Sequence, residues 1–391
     1  QKNLFVSVID DLQQIAENVG SKTFYHRFGN KVVPIPDNQT AKVIKPSFYD
    51  CKGSKEECDN QFTALQLPFK AAKANPDGTY IIVTDLFLEN KQLVGKTLNT
   101  LTKPLKSILK NGQSIGVFGI MSSFNGKIWG IPTKEGPTMS YSDAQKRPFY
   151  IIVIGNQKHI NKIKKNLEEQ HFVDGDEKYK FALITSSPVL PKQSQKKLIN
   201  KDSLGKLAKA EKFKFQYLED DLPVYEFETN NKRRIKLKIK KDDIIVSGST
   251  GLSSYRIEEG LWWSKELKCK NISAETWNKT NHKEISIIDD DKENDLIVNV
   301  FKKVPLKKFF TQLRYFYVMH LYADEPGKAS EATFADWSIR DSEAQDFADE
   351  NPLEFKTLNL IKIIKILNAV ANDAFEPTHI ASIALDFEVN K

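Results

Sequence analysis

Three continuous apolar runs constrain this chain more than any other feature: Tyr80-Ile-Ile-Val83, Ile115-Gly-Val-Phe-Gly-Ile-Met121 and Phe149-Tyr-Ile-Ile-Val-Ile154. Strands of this kind are apolar on both sides, so both of their faces have to be covered. Covering elements are present between and around them. Residues 4–19 place Leu4, Phe5, Val8, Ile9, Leu12, Ile15, Ala16 and Val19 at the 3.6-residue period of a helix with one buried face, and Gly20 ends it. Leu93, Leu98, Leu101, Leu105, Ile108 and Leu109 mark a second helix, closed by Asn111-Gly112. A Lys-rich helix at 157–169 buries Ile160, Ile163 and Leu167, and a short strand, Phe181-Ala-Leu-Ile184, follows. Thr23 to Phe28 and Lys31 to Ile35, joined by Gly29-Asn30, read as a hairpin.

The order up to about residue 190 is helix, hairpin, helix, strand, helix, strand, loop, strand, helix, strand. Alternation of buried strands with amphipathic helices predicts a doubly wound α/β layer, a mostly parallel sheet with helices on both faces. The expected loop joins the runs at 115–121 and 149–154, and Ser122-Ser-Phe-Asn-Gly126 at its start reads as a polar turn. Such a sheet is entered through a strand ahead of the first helix, which would lie before Gln1.

The character changes after residue 190. Residues 191–212, rich in Lys, Gln and Ser, read as a linker or an exposed helix. Short strand-like runs then follow to the end of the chain, so 213–391 are expected to form a β-rich, sandwich-like domain with one helix at about 356–371. Lys232 to Lys241 could pass for a nucleic-acid patch, but Ile235, Leu237 and Ile239 alternate strictly with Lys236, Lys238 and Lys240. That is the pattern of a strand with one buried and one wet face, and a Lys-lined edge discourages edge-to-edge pairing.

Composition narrows the function classes. The 391 residues are 40% apolar and 10% aromatic, the profile of a folded chain with real cores. No run of about 18 apolar residues is present to cross a bilayer as a helix. A net charge of +7, from 58 basic and 51 acidic residues, is mild for a nucleic-acid protein. The six histidines, His26, His159, His171, His282, His320 and His379, are scattered, and neither a Gly-x-Ser-x-Gly elbow nor a phosphate-cradling Gly-Lys-Ser/Thr loop occurs. Cys51 and Cys58 flank a polar loop that could close as a disulfide, with Cys269 left over. That loop points to the periplasm or cell surface, with a cytoplasmic location as the alternative. Trp262, Trp263 and Trp337 read as core anchors, and Asp289-Asp290-Asp291 as a solvated turn lacking the spacing of a calcium loop.

The element order, with one central strand ending in Thr84-Asp85, resembles the von Willebrand factor A family. In that family a first strand carries Asp-x-Ser-x-Ser, a later loop gives a Thr, a further strand ends in an Asp, and together they hold a divalent cation. The likeness covers about residues 1–190. Val83-Thr-Asp-Leu86, Gly119 to Gly126, Arg147-Pro-Phe-Tyr150 and the later Lys356-Thr-Leu-Asn-Leu360 are similar to stretches of a group of bacterial proteins with such a domain. The resemblance implies Asp85 and Thr63 as ligands of Mg²⁺ or Mn²⁺, with the Asp-x-Ser-x-Ser strand ahead of Gln1. Ligands of open α/β sheets bind beyond the carboxyl ends of strands, which independently favours Asp85. The competing roles are a turn or cap for Asp85 and an N-cap for Thr63. Thr84, Ser122, Ser123 and Asn125 are the expected partner contacts at the same edge.

The expected function is therefore non-catalytic protein binding or assembly through the strand-end edge, with or without a divalent ion. The alternatives are a metal-dependent hydrolase or nuclease built from distant acids, and nucleic-acid binding through the Lys-rich residues 192–241.

Overall fold

Apolar runs and amphipathic helices become the expected elements in the computed structural model, which describes residues 4–19, 22–43, 45, 64–88, 93–133, 136–172, 177–186, 224–230, 235–240, 255–264, 278–279, 285–290, 295–300, 312–326, 328–344, 346, 350 and 356–390. In chain order these are α1 (Leu4–Val19), β1 (His26–Phe28), β2 (Val32–Pro34), α2 (Gln66–Ala74), β3 (Tyr80–Thr84), α3 (Gly95–Lys110), β4 (Ser114–Thr133), β5 (Gly136–Gly155), α4 (Gln157–His171) and β6 (Tyr179–Thr185). There follow β7 (Val224–Asn230), β8 (Ile235–Lys240), β9 (Tyr255–Ser264), β10 (Asn278–Lys279), β11 (Ile285–Asp290), β12 (Asp295–Val300) and β13 (Gln312–Ala323). The chain ends with α5 (Glu331–Phe334), β14 (Ser338–Ile339), β15 (Thr357–Leu358), α6 (Leu360–Ala374) and β16 (Thr378–Asn390). No helix among the described residues is long and apolar enough to cross a membrane.

The chain divides into two units. Unit 1 comprises Gln1–Ser187, Gly248–Thr250 and Pro326–Phe375, and unit 2 comprises Pro188–Ser247, Gly251–Glu325 and Glu376–Lys391. The first segment of unit 1 ends at Ser187, and residues 326–375 return to the same unit. The helix expected inside 213–391, α6, belongs to the core of unit 1, where Leu360, Ile363, Ile364, Leu367, Val370, Ala371 and Ala374 are buried.

Unit 1 is mixed α/β in three layers, and its central sheet is antiparallel throughout. The order is β3-β5-β4-β6, and each neighbouring pair runs antiparallel. The expected parallel sheet is corrected here, and the reason lies in one hairpin. β4 and β5 are not two strands with a loop between them. They pair continuously from Ser114↔Gly155 out to Thr133↔Gly136, with irregularities near Gly126 and beyond Trp129. The helical crossovers do join strands of the same direction, β3 to β4 through α3 and β5 to β6 through α4. In each case the other hairpin strand lies between them, so every pair of neighbours is antiparallel. Beyond Ile120 and Tyr150 the hairpin has no third strand beside it among the described residues and continues as a two-stranded ribbon.

Alternation along the strands assigns the faces. Ile82, Tyr150, Ile152, Ile154, Ile115, Val117, Ala182 and Ile184 form one cluster with Phe69 of α2, Leu105 and Ile108 of α3, and α6. On the other face Phe149 meets Phe5 of α1 edge-on, with ring centroids 5.0 Å apart. A Cβ on Gly116 would come within 2.6 Å of Ile160 of α4, so that strand position has to be glycine for the helix to pack. The helices on both faces are as expected.

Unit 2 is β-rich, as read from the sequence. One sheet has the order β10-β9-β13-β16-β7, antiparallel except for the parallel pair β16–β7, and the other has the antiparallel order β11-β12-β8. The alternating Lys segment is β8, an outer strand, and its register sets Ile235, Leu237 and Ile239 opposite Val300, Val298 and Leu296.

Candidate functional site

β3 ends level with one transverse row of the unit 1 sheet, Thr84–Tyr150–Gly119–Lys180. Three stretches singled out in the sequence meet around this row, although they come from residues 83–86, 147–150 and 356–360. Tyr150 is wholly buried, and its hydroxyl lies 2.7 Å from the Thr357 hydroxyl. Asn359 donates from its side-chain amide to the Leu88 carbonyl at 3.0 Å. Asp85 accepts from Arg147 Nη2 at 2.9 Å, an ion pair with the guanidinium 13% and the carboxylate 40% exposed.

The turn after β3 is held by its own side chains. Thr84 Oγ1 accepts from Leu86 N–H at 3.1 Å, and Asp85 Oδ1 accepts from Phe87 N–H at 3.2 Å. Between these bonds Leu86 adopts φ 50°, a left-handed conformation that costs a bulky L-residue about 1–3 kcal/mol. Its side chain is nevertheless buried, and with Leu88, Phe69, Leu105, Ile152 and Ile364 it lines a cavity of about 30 Å³. That lining is apolar, so a water there would find no partner and the cavity is a packing gap.

Across the row the backbone of Gly119 is approached closely by aromatic rings. An added Cβ would lie 2.9 Å from Trp337 and 3.3 Å from both Phe334 and Tyr150. Trp337 is buried, as expected of a core anchor, and the Lys180 ammonium stands 4.7 Å from its ring centroid while pairing with Asp336. Burial holds the Tyr150 phenol well above its ordinary range, only partly offset by the Thr357 hydrogen bond and the nearby Arg147 charge. It is therefore no proton donor or acceptor near neutral pH.

The expected partner contacts share this rim but not one surface. Thr84 faces the α2, α3 and α6 side with Ile82. Ser122 lies on the opposite face, buried, and accepts from the Phe5 N–H of α1 at 3.2 Å. Ser123 is exposed and opposite Lys146 in the hairpin. Asn125 lies in the strand at the irregularity between Phe124 and Gly126, not in a loop. Thr63, Cys51 and Cys58 lie outside the described residues.

No family model, curated protein or solved structure matches the chain. The donors of the rim can still be tested against a divalent ion, and as arranged they do not fit one. Each Asp85 oxygen already has a hydrogen-bond donor, one of them a guanidinium that repels a second cation, and the Thr84 hydroxyl is engaged by Leu86. No group of three or more His, Cys, Asp or Glu poised for a metal stands among the described residues.

The sequence alone does not give Arg147 as the partner of Asp85 or Thr357 as the partner of Tyr150, and it does not single out Lys180 or Asp336. Arg147 carried a signal, since a cation opening a buried strand has to find an anion. Asp336 carried none, and Thr357 carried only its place in the 356–360 stretch, because it is the folding of residues 326–375 onto this sheet that brings them there.

Proposed function

We propose that this chain is a non-catalytic binding or assembly protein that presents the rim at the end of β3 to a protein partner. The observation that carries this reading is the Asp85–Arg147 pair, a partly exposed carboxylate on a nearly buried guanidinium, framed by a strained and hydrogen-bonded turn. Ionisable groups of the rim are engaged with one another: Asp85 with Arg147, Lys180 with Asp336, and the Tyr150 hydroxyl with Thr357. Such an arrangement supports a rigid contact surface more than proton transfer, which needs a group titrating near the working pH. Contact here is direct. An Mg²⁺- or Mn²⁺-mediated contact would set a second cation on Asp85 against the charge of Arg147.

A photo-crosslinking side chain at Ser123, on the exposed rim, tests the reading in lysate of the source cells, with Asn372 on α6 as the control position. The expected result is a discrete protein adduct at 123 that is absent at 372 and lost on Arg147→Ala. Identical adducts at both positions, or none at the rim, would overturn it. Calorimetry with MgCl₂ and MnCl₂ separates the two forms of contact: heat that disappears in Asp85→Ala would replace the direct contact by an ion-mediated one.

A further inference from the structure

Unit 2 holds a side-chain cluster of its own at one end of the β13–β16 pair. The two strands pair regularly from Gln312↔Asn390 to Leu321↔Ala381. The register then shifts by one residue, so that Tyr322 faces His379 and Ala323 faces Thr378. Successive residues of a strand point to opposite faces, so this shift decides where His379 goes. In unbroken register His379 would stand opposite Ala323, on the face away from His320. The extra residue in β16, Ile380, turns His379 onto the face that carries His320 and Tyr322.

The ring contacts agree with that register. The His379 ring centroid lies 5.7 Å from that of His320 and 5.4 Å from that of Tyr322, edge-on to both. His379 is exposed and His320 half-buried. From β9, the neighbour of β13 on its other side, the Arg256 guanidinium stands 4.7 Å from the Tyr322 ring centroid and pairs with Glu258 and Asp324. Two of these three charges are negative, which favours a cation beside them.

Two imidazoles on one face at this spacing suit a shared metal ion. When a nitrogen of each holds one ion at about 2.0–2.1 Å, the ring centres come to roughly 5–6 Å apart. Imidazole suits zinc, nickel and copper, whereas magnesium and calcium take oxygen ligands. We propose that His320 and His379 form a two-imidazole site for a divalent ion of the zinc, nickel and copper class. No group of three or more His, Cys, Asp or Glu poised for a metal stands among the described residues. The other positions of the ion are therefore left to water or to a donor from another molecule. All of these residues belong to unit 2, and the proposal does not depend on the reading of the rim.

The test is calorimetry with NiCl₂ on the full chain, its cysteines alkylated so that Cys51, Cys58 and Cys269 do not take the metal. His320→Asn and His379→Asn are each expected to weaken nickel binding about tenfold or more. His26→Asn, at an exposed histidine of β1, should leave it unchanged, and an excess of MgCl₂ should not displace the nickel. Copper gives an independent signature. The electron paramagnetic resonance spectrum of bound Cu²⁺ should show coupling to two nitrogens in the wild type and to one in either variant. Unchanged nickel affinity in the folded variants, an equal loss in His26→Asn or displacement by MgCl₂ would overturn the proposal. So would a wild-type copper spectrum with fewer than two nitrogen ligands, a measurement that needs no substitution and decides the question even if neither variant folds.

Discussion

Tyr150 shows how one buried polar atom ties distant sequence together. Its hydroxyl finds Thr357, 207 positions away, and its ring lies against the open backbone of Gly119. Burial raises its folded pKa above the ordinary 10.0, which gives stability a defined pH dependence. Below about pH 10 both folded and unfolded chains keep the phenolic proton, so nothing changes. Above it the unfolded chain releases the proton while the folded chain retains it, and stability falls as pH rises toward the folded value. The slope for this one group is up to about 1.4 kcal/mol per pH unit. Tyr150→Phe is expected to lower stability by about 1 kcal/mol at neutral pH through the lost hydrogen bond, and to flatten the alkaline loss. Urea midpoints for wild type and variant between about pH 9 and about pH 11 would check this; curves that stay parallel would refute it. Tyr179 is raised as well, by burial and by Glu168, and contributes equally to both proteins. At this scale the place of Asp85, just past the end of a buried strand, was legible. Its partner was not: the choice between metal ligand and ion pair depends on where Arg147 reaches.

Secondary elements were largely legible because each is set by local periodicity. α1, α3, α4 and α6 follow their apolar stripes, and β3 and the inner halves of β4 and β5 follow their continuous apolar runs. Strand order was not. Ser122, Ser123, Asn125 and Gly126 are turn-forming residues, yet here the strand passes through them and only its register shifts. A βαβ crossover read from sequence gives the direction of its two strands but not what lies between them, and the hairpin supplies that. The junction of β15 and α6 makes a specific case at this scale. Asn359 begins α6 at φ 56°, donates its backbone N–H to Ile339 at 2.7 Å and its side-chain amide to Leu88. Asn359→Gly keeps the left-handed conformation without strain and loses the side-chain bond, at about 1 kcal/mol. Asn359→Ala loses the same bond and adds about 1–2 kcal/mol of left-handed strain. Chemical denaturation should rank wild type above Gly and Gly above Ala; Ala at or above Gly would show that the conformation is not what the position selects.

At the scale of the molecule, unit 1 is discontinuous in sequence, and its last piece, Pro326–Phe375, is not decoration. In α6, Leu360, Ile363, Ile364, Leu367 and Val370 are buried, a stabilisation on the order of 10 kcal/mol by transfer arithmetic. That is comparable to the whole stability of a domain, so residues 1–187 are not expected to stand without 326–375. All of unit 2 lies after Ser187, so a cut there puts residues 1–187 on one half of the chain and residues 326–375 of the same unit on the other. A specific protease site placed immediately after Ser187 tests that dependence. After cleavage the halves should co-elute in size-exclusion chromatography under native conditions and part in denaturing urea. Ile364→Lys, a charge set into the unit 1 core, should release the halves after cleavage. Halves that part on cleavage of the unsubstituted chain would show that α6 does not hold the sheet. The rim would then lose Thr357, Asn359, Asp336 and Trp337 together, and with them the frame in which Arg147 and Lys180 are fixed.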